Sequence, residues 1–245
     1  YYINTYSNMT TPSVITLHDA TGKQLRVLED NSKLKNLLAN TQLPSKEFMT
    51  VKGADGSDLN AYIMKPADFN PSKKYPLLMI QYSGPNSQQV LDKFLTDWTD
   101  YLTTQGYIVA CVDGRGTRAR GEEFRKCTYL NLGVYESDAQ IAAARYFGTL
   151  PYINKDKIAI WGWSFGGFNS LLSMSRGNGV FKAGIAIAPV TTWKFYDTVY
   201  TERFMRTPQQ NMDGYINGSP MTYATQMEGN LLLIHGTAAD NVHFH

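Results

Sequence analysis

The chain has 245 residues, with 23 Lys and Arg against 21 Asp and Glu, for a formal net charge of +2. The basic residues are dispersed, which argues against nucleic acid or an anionic membrane surface as partner. Hydrophobic residues make up 43% of the chain, enough for a sizeable core, and no run approaches the ~18 apolar residues that a membrane span needs.

The first residues, Tyr1-Tyr2-Ile3-Asn4-Thr5, carry neither the charged nor the apolar region of a secretory signal. The expectation is a leaderless chain or a fragment. Residues 13–17 and 24–28 read as strands of a hairpin around a turn at 18–22, which makes His18 a solvated turn residue. Asp30-Asn31-Ser32 supplies helix caps, and Leu34, Leu37 and Leu38 share one helical face. A second hairpin pairs 48–51 with 59–64 across a loop whose Asp55-Gly56 favours a turn.

From Tyr75 the pattern changes. Strand-like runs at 77–82, 107–112, 157–161, 184–188 and 230–234 alternate with helical spacing at 93–104, 134–147 and 168–175. Near-continuous aliphatic strands separated by helices predict an α/β fold with a mostly parallel, doubly wound sheet covered on both faces. The boundary between the β-rich start and this unit falls near residue 45 or 65. The early piece is too small to build a core alone.

Gly162-Trp163-Ser164-Phe165-Gly166 is a G-x-S-x-G motif between a predicted strand and a predicted helix. The chemistry needs a serine at the tip of a sharp strand-to-helix turn, with glycines where a Cβ would strike neighbouring backbone. The helix then aims its N-terminal amides at a developing oxyanion. Ser164 is therefore the candidate nucleophile. Cys111 reads as a buried free thiol, and no metal-ligand spacing or cofactor motif is present.

The segments Tyr82-Ser83-Gly84-Pro85, Val112-Asp113-Gly114-Arg115-Gly116, Gly162-Trp163-Ser164-Phe165-Gly166-Gly167, Tyr200-Thr201-Glu202-Arg203 and His235-Gly236-Thr237-Ala238 closely resemble the dipeptidyl peptidase IV branch of the prolyl oligopeptidase family. Arg26-Val27-Leu28-Glu29-Asp30-Asn31 extends the resemblance towards the start. It implies an α/β-hydrolase fold capped by a β-propeller. Residues 1–45 would be the last propeller strands and a linker. Residues 46–245 would be the catalytic domain, ending before the family's catalytic histidine.

The resemblance also assigns roles. Ser164 attacks the peptide carbonyl, and the Phe165 amide and the Tyr82 hydroxyl bind the oxyanion. Val190, Trp193, Tyr196, Tyr200 and Val242 form a slot for proline at the second substrate position, and Asn241 bonds a substrate carbonyl. The family segment His-Gly-Thr-Ala-Asp-Asp-Asn-Val-His carries the triad acid as its first aspartate. Here Ala239 stands at that place and Asp240 follows. Asp240 substitutes after a small loop shift, or the change was introduced to give an inactive form, or the chain is a naturally impaired homologue. His235, His243 and His245 sit too close to the acid loop to act as base.

The implied function is a serine exopeptidase that releases N-terminal dipeptides with proline or alanine second. Its substrates would be peptides beginning X-Pro or X-Ala, and the full-length protein would be a homodimer without cofactor. The alternatives are a prolyl endopeptidase or acylaminoacyl peptidase, and a non-catalytic relative that binds peptides or a protein. The low cysteine count suits a periplasmic or secreted location.

Overall fold

The computed structural model describes residues 1–244. Strands β1 (Tyr2–Asn8), β2 (Thr11–His18) and β3 (Gln24–Glu29) form an antiparallel three-stranded sheet, followed by α1 (Ser32–Ala39). This sheet buries little: all of β3 and most of β1 are exposed, as its alternation of polar and apolar residues on so few strands requires. β1 is an addition to the predicted hairpin. His18 is not a free turn residue. It ends β2, its ring bonds Thr16 Oγ1 at 2.8 Å and the Gly22 carbonyl at 3.0 Å, and it stacks on Tyr2.

The remaining elements are β4 (Ser45–Lys52), β5 (Asp58–Lys65), β6 (Tyr75–Ile80), α2 (Trp98–Thr104), β7 (Ile108–Asp113), α3 (Glu122–Lys126), α4 (Val134–Gly148), β8 (Ile153–Trp163), α5 (Phe165–Arg176), β9 (Ala183–Ile187), α6 (Thr198–Met205), α7 (Met212–Asn217) and β10 (Asn230–Ile234). Short 3₁₀ turns occupy Trp193–Phe195 and Pro220–Gln226. One seven-stranded sheet runs in the order β10-β9-β8-β6-β7-β5-β4. Its β6–β10 half is parallel, and β5 and β4 close it as an antiparallel pair on β7. The second hairpin thus belongs to the main sheet.

The core lies against both faces of the central strands. Ile63, Leu77, Met79, Ile108, Ala110, Ile158 and Ile160 meet α4 residues Ala143, Ala144 and Phe147. On the other face Leu78, Ile80, Val109 and Cys111 pack with Tyr62 and Met64. At one edge of the sheet Leu231, Leu232, Leu233 and Ile234 of β10 are exposed. The helix expected over 93–104 begins only at Trp98, where Asp97 forms a capping box with Asp100. An N-cap this strong sets the start; Phe94 and Leu95 lie before it. No helix among the described residues is long and apolar enough to cross a membrane.

Candidate active site

β8 is the central parallel strand that delivers Ser164. Its backbone turns sharply there, with φ 58° and ψ −118°, and α5 begins at the next residue. A serine in this region is strained, and the surroundings must impose it. They do so through glycine. A Cβ on Gly162 would lie 2.2 Å from the Gly166 carbonyl oxygen, and one on Gly166 would lie 2.4 Å from the Gln81 carbonyl oxygen. The Ser164 amide is fixed to the Ile187 carbonyl at 2.8 Å, and its carbonyl accepts from the Phe168 amide at 2.9 Å. The elbow is therefore wedged between β6 and β9, at the carboxyl ends of the parallel strands.

Tyr82 lies two residues past the end of β6 and stands beside the elbow, its ring 6.1 Å from that of Phe165. Burial pushes its phenol above the usual range, so the hydroxyl stays protonated and able to donate. The loop beyond it is tied down from β7. Asp113, itself buried, accepts the amides of Gln89 at 3.0 Å and Val90 at 2.9 Å. The Asn86 amide donates to the Gly116 carbonyl at 2.9 Å. The Asp113-Gly114-Arg115-Gly116 motif thus acts as scaffold for the Tyr82 loop.

An aromatic wall adjoins the serine. Trp193 is 1% exposed and packs with Phe165, Phe168, Val190, Tyr215 and Val242. Its ring lies 5.8 Å from Tyr196 at right angles and 5.8 Å from Tyr200 nearly parallel. Tyr196 and Tyr200 meet edge to face at 5.4 Å. Asp197 caps the helix that carries Tyr200, accepting the Tyr200 amide at 2.8 Å. Burial raises the Tyr200 phenol strongly and, with nearby Asp197, that of Tyr196 to a lesser degree. These rigid, neutral, flat side chains pack on one another as an aromatic cluster against Phe165.

The loop after β10 reaches the same wall. Val242 is buried in it, and Asn241 Nδ2 lies 3.5 Å from the Tyr196 hydroxyl. The His235 ring is taken up by the Val242 carbonyl at 2.8 Å. Asp240 is exposed, and Ala239 sits at the turn, its amide donating to Gly236. The structure thus brings together Ser164, Phe165, Tyr82, Val190, Trp193, Tyr196, Tyr200, Asn241 and Val242. It does not bury Asp240 with them. His245 lies outside the described residues.

Sequence reasoning passed over a buried polar set beneath the elbow: Gln81, Ser83, Glu136, Gln140, Asn169 and Ser170. The signal was there, since Gln81 interrupts an aliphatic strand and Asn169-Ser170 lie in the apolar start of α5. Burial pushes the Glu136 carboxyl up to about 8; one oxygen accepts the Gly133 amide at 2.8 Å. Among the described residues no group of three His, Cys, Asp or Glu is placed to hold a metal.

A parallel-centred sheet with a strained serine between a strand and a helix defines an α/β-hydrolase. More narrowly, the chain belongs to the prolyl oligopeptidase family, whose profile matches residues 95–245. It is 45% identical over 236 residues to the bovine (Bos taurus) prolyl endopeptidase FAP, covering 94% of this chain and 31% of that protein. Dipeptidyl peptidase 4 of Sus scrofa is 45% identical over 234 residues, covering 94% of this chain and 30% of its own. The crystal structure of Porphyromonas gingivalis dipeptidyl peptidase 4 superimposes with a TM-score of 0.96 at 58% identity, over 99% of this chain and 35% of that one. The chain therefore spans about a third of the length of these relatives.

Proposed function

We propose that this chain is the catalytic portion of a longer serine exopeptidase that releases N-terminal dipeptides with proline or alanine second. In this reading residues 1–45 are the end of a propeller with its linker, and the general base is a histidine outside the chain. The observation that carries it is Ser164, held at φ 58° on the sheet's carboxyl edge, with the next residue, Phe165, packed on the Trp193-Tyr196-Tyr200 aromatic cluster.

Ser164 Oγ attacks the scissile carbonyl as its proton passes to the histidine. The carbonyl oxygen becomes an oxyanion, taken by the Phe165 amide and the Tyr82 hydroxyl. Collapse expels the leaving amine with that proton, and water then releases the dipeptide from the acyl-enzyme. The aromatic slot holds the proline ring, with Val190 and Val242 at its base, and Asn241 bonds a substrate carbonyl. Asp240 is the nearest carboxylate to the position of the triad acid, one residue beyond Ala239.

Two observations support other readings. Ala239 favours a non-catalytic relative that binds peptides or a protein. The FAP relative, named as an endopeptidase, is as similar as the dipeptidyl peptidase. The separating test uses the full-length protein carrying Ala239→Asp, with Gly-Pro amides whose amino end is free or acylated. Cleavage confined to the free amine supports the exopeptidase. Equal cleavage of both supports an endopeptidase, and cleavage of neither supports the binding protein. The homodimer expected of the full-length protein is checked by its mass in solution.

A further inference from the structure

Gln81 is 2% exposed, and every hydrogen-bonding position of its side-chain amide is used. Nε2 donates to the Gly166 carbonyl at 2.7 Å and to Ser170 Oγ at 3.0 Å. Oε1 accepts from Ser83 Oγ at 2.9 Å and from Asn169 Nδ2 at 3.1 Å. Ser83, at φ 64°, is in turn held by Gln140 Nε2 at 3.2 Å, which also donates to the Val112 carbonyl of β7 at 3.0 Å.

The arrangement joins two pieces of chain. One is the first turn of α5, which contains the Phe165 amide. The other is the strand end 81–83, which contains Tyr82. They touch directly, because a Cβ on Gly166 would meet the Gln81 carbonyl oxygen and the Tyr82 Cα. Gln81 binds the α5 side through Gly166, Asn169 and Ser170, and the Tyr82 side through its own backbone and Ser83. The buried oxygens of Gln140 and Asn169 have no partner, whereas the Gln81 amide is satisfied at both ends, so the geometry is fixed at Gln81.

We propose that Gln81, with Ser83, Asn169 and Gln140 as its partners, is a positioning residue that fixes the distance between the Phe165 amide and the Tyr82 hydroxyl. It never touches substrate. Its effect falls on the tetrahedral state, where both donors must meet one oxygen, and spares ground-state binding in the aromatic slot. This rests on the serine-hydrolase reading of Ser164.

The test compares two ligands on the full-length protein. A dipeptide boronate ending in a boronic analogue of proline forms a B–O bond to Ser164 Oγ. The serine proton passes to solvent, and a boron hydroxyl occupies the oxyanion position. Alanyl-pyrrolidide, which lacks the proline carboxyl, fills the slot and presents nothing to the oxyanion position. Gln81→Leu is expected to weaken the boronate by ~10- to 100-fold, because small misplacements of donors cost that much. Alanyl-pyrrolidide affinity is expected to stay within ~2-fold, since its contacts are those of the slot. Ser83→Ala removes one tie only and is expected to act in the same direction by less; it decides the matter if Gln81→Leu melts before binding can be read. Equal weakening of both ligands, or of neither, overturns the proposal. A parent protein that binds alanyl-pyrrolidide and forms no boronate adduct overturns it together with the reading of Ser164.

Discussion

The two halves of the candidate site are built to different standards. The elbow half, from β6 through β8 to α5, is buried, closed by glycines at van der Waals limits and laced by a saturated side-chain amide. The acid half sits on the loop after β10, where Ala239 stands at the place that the family resemblance gives to a carboxylate and Asp240 is exposed. The contrast separates two tasks. Binding an oxyanion needs backbone and donors placed to fractions of an ångström, and the rigid half supplies that. Orienting a histidine needs one charged side chain, and at the position that the family resemblance gives it this sequence has Ala239, with Asp240 next to it.

The largest blow to the rigid half is Ser164→Ala. In the Ala239→Asp background it is expected to lower kcat on a Gly-Pro amide by ~10⁶-fold, as loss of the nucleophile does elsewhere; a residual rate near the parent's would place the chemistry on another residue. Tyr82→Phe removes one oxyanion donor and keeps the ring against Phe165. It is expected to cost ~10²–10³ in kcat with KM little changed, and an unchanged kcat would remove Tyr82 from the hole.

Trp193→Ala tests whether the slot is also core. Emptying so buried a site is expected to cost ~3–5 kcal/mol in urea unfolding, so a loss under ~1 kcal/mol would mean the slot is not packed as described.

The last test sharpens the comparison through pH. The folded carboxyl of Glu136, held at about 8 against the usual 4.5, keeps a proton that the unfolded chain has lost. Stability conferred by that proton is complete below 4.5 and falls as pH rises towards 8, by up to about 1.4 kcal/mol per unit. Glu136→Gln keeps the acceptor for the Gly133 amide and removes the slope. Its melting temperature is expected to match the parent at pH 4.5 and to exceed it at pH 9; parallel curves would deny the buried, raised carboxyl.

Much of this was legible beforehand. Aliphatic runs at 77–80, 108–112 and 158–160 announced the parallel sheet because strands buried on both faces cannot afford polar residues. The elbow was legible because only glycine fits at 162 and 166. The aromatic slot was not legible from spacing: Trp193, Tyr196 and Tyr200 look like core until their placement beside Ser164 is known, and only the family resemblance singled them out. β1 escaped because Tyr2–Asn8 is exposed over most of its length and carries little apolar signal. α6 escaped because its start depends on the Asp197 cap and its packing on Trp193. The Gln81 set escaped because a polar residue in a strand reads as a flaw until partners 57 to 89 residues away are seen.

The most direct measurement is hydrolysis of a Gly-Pro chromogenic amide by the full-length protein, as the sequence stands and with Ala239→Asp. A rigid half lacking only its acid predicts a weak or undetectable rate that rises by ~10³–10⁴ on reversion. Equal rates in the two proteins, or silence in both, would contradict it.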